Sequence, residues 1–169
     1  MTHAPLRSLV ATRRSTPTST DGSSCAPCAA QEVRPQGFRE DGLAVLDRST
    51  DAATRQDAAA ATALFAPEPD TLLVGLAVGE TARGIEAPRT FSEAATRWSV
   101  VFTWDWRTAS AAGDVGWLMA EGRCRGAFEG RAFDVPYRLS LVLQRRGGVW
   151  LIRQFHGSEP STTGQEQAG

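Results

Sequence analysis

Hydrophobic positions along this chain follow two regimes. Up to about residue 98 they recur at helical spacing or in short blocks, and beyond it they alternate with polar residues at a period of two. Phe38, Leu43, Val45 and Leu46 predict a short helix, and Ser49, Thr50 or Asp51 can cap a second one running through Leu64 and Phe65. Pro67 and Pro69 close that helix, after which Thr71-Leu72-Leu73-Val74-Gly75 reads as a short buried strand. A third helix is expected from about Ala87 to Trp98, with Pro88 tolerated in its first turn.

The alternating region divides into four strands, at about 99–109, 115–127, 131–145 and 149–156. Ala112-Gly113-Asp114, Glu129-Gly130 and Gly147-Gly148 separate them, each short enough for a hairpin, so the strands form a consecutive antiparallel meander. Helices first and a meander afterwards is the α+β pattern, with helices covering one face of a curled antiparallel sheet. Alternation assigns the two faces. The apolar one holds Val100, Phe102, Trp104 and Trp106, then Leu118 and Ala120, then Val135, Tyr137, Leu139, Leu141 and Leu143, and finally Leu151 and Phe155. The mixed one holds Thr103, Asp105 and Arg107, then Trp117, Met119 and Glu121, then Arg138, Ser140 and Val142, and finally Trp150, Ile152, Gln154 and His156.

Outside this region the pattern fades. Residues 1–36 lack apolar periodicity and carry Arg7, Arg13, Arg14 and Arg34 against Asp21 and Glu32, which predicts a disordered tail dispensable for folding. Residues 37–158 form the domain, and 159–169 read as a frayed C-terminal tail. The N-terminal arginines are followed by a Ser/Thr run where a leader needs an apolar core, so no export signal is read there. Cys25, Cys28 and Cys124 do not make an extracellular disulfide framework, and a reducing cytoplasm is the expected home. Cys25-Ala-Pro-Cys28 has a redox or zinc spacing, but it lacks the flanking strand and helix of the first and the second ligand pair of the other. No metal or cofactor is expected.

Composition narrows the partners. A net charge of -1, from 18 basic and 19 acidic residues, provides no field to collect nucleic acid or a membrane surface. All the basic residues are arginine, with neither lysine nor asparagine present, a bias that points to a GC-rich genome before it points to function.

Several runs carry a resemblance: Asp57-Ala-Ala-Ala-Ala-Thr-Ala-Leu-Phe-Ala-Pro67, Thr71-Leu-Leu-Val-Gly75, Ala82-Arg-Gly84, Gly113-Asp-Val-Gly-Trp117, Pro136-Tyr-Arg-Leu-Ser140 and Trp150-Leu-Ile-Arg-Gln-Phe-His-Gly-Ser158. In order and spacing they resemble SnoaL-like proteins of the nuclear transport factor 2-like, or cystatin-like, superfamily, over about residues 37–158. The resemblance implies an α+β cone in which a bent sheet wraps around helices, commonly as a homodimer. It implies no single function, because the scaffold hosts isomerases, cyclases, dehydratases, epoxide hydrolases, binding domains and association domains.

Two sets of residues are candidates for a site. Counting back from the turns places Glu121 opposite Arg138 and Arg138 opposite His156, a charged row across three strands that, with Asp105, could supply acid, base and enolate stabilisation. The same row would equally suit a subunit interface. Trp98, Phe102, Trp104, Trp106, Tyr137, Leu141 and Phe155 are the candidate walls of an apolar pocket. Catalytic branches of the superfamily do not carry over. The segment Leu72-Leu73-Val74 lacks the carboxylate of the ketosteroid isomerases, Tyr137 is the only tyrosine, and only one histidine lies outside the tail, where the dehydratases use a pair. Asp105, Arg107 and Glu121 imitate the epoxide hydrolase set only loosely, in reversed order. A small hydrophobic ligand or self-association is therefore the expected function, with a cyclase, isomerase or lyase acting on a hydrophobic carbonyl compound as the alternative.

Overall fold

The computed structural model describes residues 35–76 and 78–161. The expected N-terminal tail, with Cys25 and Cys28, lies outside them except for Pro35 and Gln36, which form the first turn of a helix. Residues beyond 161 also lie outside.

Helix α1 spans Pro35–Thr54 as one continuous element of 20 residues. The expected break at Ser49 to Asp51 does not occur. Thr50 turns its hydroxyl back onto the Leu46 and Asp47 carbonyls at 3.2 and 3.1 Å, satisfying it inside the helix, and Asp51 pairs with Arg55 one turn on. The helix ends at Thr54, and two residues on Gln56 turns the chain with a φ of +55°. Asp57 then caps the short helix α2 (Ala58–Thr62) by accepting from the Ala60 N–H at 2.9 Å. Phe38, Val45, Leu46 and Ala52 recur at helical spacing and are buried.

Strand β1 (Leu72–Val74) pairs antiparallel with β2 (Thr81–Arg83), an element the sequence pattern does not announce. Helix α3 (Ala87–Ala95) follows, ending three residues before Trp98. The four long strands are β3 (Trp98–Ala112), β4 (Val115–Phe128), β5 (Arg131–Arg146) and β6 (Val149–Ser158), joined by hairpins as expected. Sheet order is β2-β1-β6-β5-β4-β3. β1 joins β6 in parallel, which makes the six-stranded sheet mixed rather than wholly antiparallel. The helices pack on its concave face around Phe38, Leu46, Leu118, Leu141, Leu143 and Ile152. Phe38 meets Trp150 edge to face, centroids 4.4 Å apart.

Two bulges correct the simple alternation. In β3, Trp104 pairs with Gly122 while Trp106 pairs with Glu121, leaving Asp105 as the extra residue. Trp106 is thereby turned onto the convex face and Arg107 onto the concave one, where it reaches Asp47 of α1 at 2.6 Å. In β6, Val142 pairs with Gln154 while Leu143 pairs with Ile152, so Arg153 is extra. That insertion lets Trp150, Ile152 and Phe155 all face inward and leaves Leu151 outside, whereas strict alternation puts Trp150 and Ile152 on the mixed face. Each bulge also bends its strand, which helps the sheet curl around the helices.

Candidate functional site

Between the helices and the concave face lies a cavity of about 600 Å³. Small residues on the helical side make room for it: Ala52, Ala53, Ala58, Ala61, Ala94 and Ala95 all border it. Aromatic rings from the strands and α3 form much of the remaining wall, with Val135 and Leu139 between them, and the charged Asp57, Glu80, Arg131 and Glu159 also border it. Trp98 stacks on Phe128 at 4.1 Å and 17°, Phe102 leans on Tyr137 at 5.3 Å, and Phe91 meets Phe155 at 5.2 Å. Gln56 ties the end of α1 to the far rim, donating to the Thr96 and Trp98 carbonyls at 2.6 and 3.3 Å.

Of the residues the sequence nominates for an apolar wall, Trp98, Phe102, Tyr137 and Phe155 border this cavity. Trp104 supports it from behind, stacked on Phe102 at 5.6 Å, with its indole N–H buried and without a hydrogen-bond partner among the described residues. Leu141 is core, fully buried and away from the cavity. Trp106 is a correction: the β3 bulge places it on the convex face, about half exposed at 53%. Pattern reading missed Phe91, Phe128 and Phe133, although the last two flank the Glu129-Gly130 turn, and it missed Glu80 in the β1–β2 turn.

The polar row takes a different form. Glu121 is opposite Arg138, as the turn count predicts, and the Arg138 Nε donates to Glu121 Oε2 at 3.0 Å. His156 is opposite Ser140, not Arg138, whose partner is Ser158. The turn register, with Arg146 opposite Val149, already offsets His156 by one residue from Arg138, and the bulge at Arg153 adds a second. Asp105 is exposed at the other bulge. None of Asp105, Glu121, Arg138 and His156 borders the cavity. With both side chains 52% exposed, the Glu121–Arg138 pair contributes at most about 1 kcal/mol. Elsewhere on that face Arg123 and Arg125 both grip Asp134, and the hydrogen bond from Arg123 is the main reason its carboxyl is held below its usual range.

Two ionisable groups of the cavity wall are strongly perturbed. Burial pushes the Tyr137 phenol well above its ordinary value, and the charges of Cys124 and Glu80 add to this. Burial likewise raises the Cys124 thiol to about 11, with a further contribution from Asp134. Both groups are therefore neutral near pH 7, a hydroxyl and a thiol in an apolar wall. Among the described residues no three metal-ligating side chains cluster, and no helix is long and apolar enough to cross a membrane.

A curved sheet wrapped around N-terminal helices, enclosing an aromatic cavity, defines the nuclear transport factor 2-like class of α+β domains. Within it, the SnoaL-like domain family matches residues 43–162, and the chain belongs to that family. No curated protein matches the chain by sequence. Solved structures do match in fold. A nuclear transport factor 2-like superfamily protein from Salmonella enterica serovar Typhimurium superposes with a TM-score of 0.66 at 15% identity, over 79% of this chain and 99% of the other. A protein from Xanthomonas campestris assigned as a calcium/calmodulin-dependent protein kinase II association domain gives 0.63 at 21% identity, over 72% and 86%. A type 2 hexachlorocyclohexane dehydrochlorinase gives 0.64 at 11% identity, over 75% and 87%. At these identities the likeness is one of fold.

Proposed function

We propose that this domain binds a small hydrophobic molecule in the cavity of its cone. The observation that carries the reading is the cavity itself. Its volume of about 600 Å³ falls within the range of small-ligand sites. Its surface is mainly apolar, from aromatic and small side chains, and polar residues such as Gln56, Asp57, Glu80 and Arg131 border it as well. Binding is favoured over acid/base catalysis because the four residues nominated for that chemistry stand outside the cavity, where water would compete for every proton they handle. Cyclase, isomerase or lyase activity through Asp105, Glu121, Arg138 and His156 would need a second site on the convex face.

A neutral apolar fluorophore such as N-phenyl-1-naphthylamine tests this directly. The full chain should enhance its emission saturably, and Val135→Trp, which places an indole in the cavity wall, should abolish the enhancement while the circular dichroism spectrum is unchanged. Enhancement that survives Val135→Trp would move the binding site elsewhere and end this reading.

The domain is also proposed to self-associate through the convex face. Trp106, Trp117 and Met119 are each about half exposed there, and large apolar side chains gathered on one sheet face commonly mark an interaction surface. The Xanthomonas protein assigned as an association domain shares the fold on which such a face would sit.

A further inference from the structure

Three hydroxyl-bearing residues are more than nine-tenths buried among the described residues: Thr71, Ser92 and Tyr137. Thr71 is satisfied, its hydroxyl donating to the Ala66 carbonyl at 2.7 Å. Ser92, 4% exposed, and Tyr137, 7% exposed, are not: neither hydroxyl has a hydrogen-bond partner among the described residues. For Ser92 this is a departure, since the helical hydroxyls of Thr50 and Thr62 each return to a carbonyl one turn back. The Tyr137 hydroxyl rests on Gly157, where a Cβ would lie 3.0 Å from the ring carbon that bears it and closer still to the oxygen, so no side chain answers it from that side. Both residues border the cavity, Tyr137 from β5 and Ser92 from α3. Neither oxygen is sealed in protein as the Trp104 indole N–H is, so the surface each retains opens onto the cavity.

Buried polar groups are nearly always hydrogen-bonded, and those left open call for an explanation. Two open hydroxyls in one mainly apolar wall are accounted for if a bound molecule completes their bonding. The phenol of Tyr137 keeps its proton across the neutral range, so what it offers a guest is an O–H donor. An uncharged oxygen with free lone pairs, such as that of a ketone, answers this donor without bringing a charge into the apolar wall. A plain hydrocarbon would leave both hydroxyls dry and unpaired.

We propose that the Tyr137 hydroxyl holds an uncharged acceptor oxygen of the bound molecule, so that the cavity takes an oxygenated apolar compound in preference to a hydrocarbon of the same shape. The inference rests on the cavity being a ligand site and adds the residue by which that site chooses. Two competitors of nearly equal shape test it: 2-acetylnaphthalene and 2-isopropenylnaphthalene, which carries C=CH2 in place of C=O, each displacing N-phenyl-1-naphthylamine from the full chain at pH 7. A carbonyl buried without a hydrogen bond would lose to the alkene by about fivefold or more. The ketone should instead displace the reporter at the same concentration as the alkene or a lower one. Tyr137→Phe, which removes only the hydroxyl, should weaken the ketone by about fivefold and leave the alkene within about twofold. A ketone that needs a higher concentration than the alkene in the unaltered chain overturns the inference, as would follow if water alone answered the hydroxyls, and this comparison decides it even if Tyr137→Phe fails to fold. An equal response of both competitors to Tyr137→Phe overturns it as well. If the reporter does not bind at all, the cavity reading falls and takes this inference with it. Reporter binding with the alkene ahead removes this inference alone.

Discussion

Replacing Gly122 by alanine tests the account of the curved sheet at its tightest point. Gly122 faces inward on β4, opposite Trp104, where the extra Asp105 makes β3 bend across it. A Cβ there would lie 2.9 Å from both the Thr103 carbonyl carbon and the Trp104 Cα, and closer still to the Thr103 carbonyl oxygen. All of these are backbone atoms, held in a ladder, and cannot swing aside as a side-chain tip would. Forcing one extra carbon into such a contact costs about 1–3 kcal/mol. Moving β3 away to relieve it weakens at least one ladder hydrogen bond, at about 1 kcal/mol. The expected loss is therefore about 2–4 kcal/mol, a large share of the roughly 5–15 kcal/mol typical of a domain. The thermal midpoint should fall by on the order of 10 °C. Gly37→Ala provides the control. A Cβ at that position meets nothing within 4 Å, and replacing a helical glycine should be neutral or stabilise by up to about 1 kcal/mol. Urea unfolding of both variants, followed by circular dichroism, measures the difference. A Gly122→Ala protein within about 0.5 kcal/mol of the parent, beside a well-behaved Gly37→Ala control, would refute the close approach and with it the placement of the bulge.

Two further predictions concern the thiol and the convex face. Burial raises Cys124 from 9.0 to about 11, so the unfolded chain releases this proton more readily than the folded one; the stability it contributes is complete below pH 9 and is lost as the pH rises through 11, with Tyr137 acting in the same direction. In a variant carrying Cys25→Ser and Cys28→Ser, the remaining thiol should react with a disulfide reagent far more slowly at pH 8 than free cysteine does, and reaction as fast as free cysteine would show that Cys124 is open to solvent. Self-association through Trp106, Trp117 and Met119 predicts twice the monomer mass in sedimentation equilibrium at micromolar concentration, reduced to the monomer by Trp117→Arg; a parent chain that sediments as a monomer would remove the interface.

Much of the fold was determined by sequence alone, because it depends on local periodicity. The switch from helical spacing to alternation near Trp98, and the short Gly-containing separators at 113, 130 and 147–148, specify helices followed by a four-strand meander. Inward-facing positions of β5, from Tyr137 to Leu143, follow directly from the period of two, as does the pairing of Glu121 with Arg138 across the short turn between β4 and β5. Tertiary structure decided what local pattern does not encode. An extra residue at Asp105 and another at Arg153 reverse the faces beyond them, and nothing in their identity announces a bulge; the need to bend the sheet around α1 favours one. Trp106, Trp150 and Ile152 therefore lie on faces where strict alternation does not put them, while His156 keeps its face and changes its partner. The continuity of α1 through Ser49 to Asp51 likewise follows from burying Ala52 against the core, which outweighs the capping preference of those residues. The cavity is the most collective feature of all. Phe91, Phe128, Phe133 and Glu80 come from four separate segments and meet only because the sheet curls, so no window of sequence could contain the site.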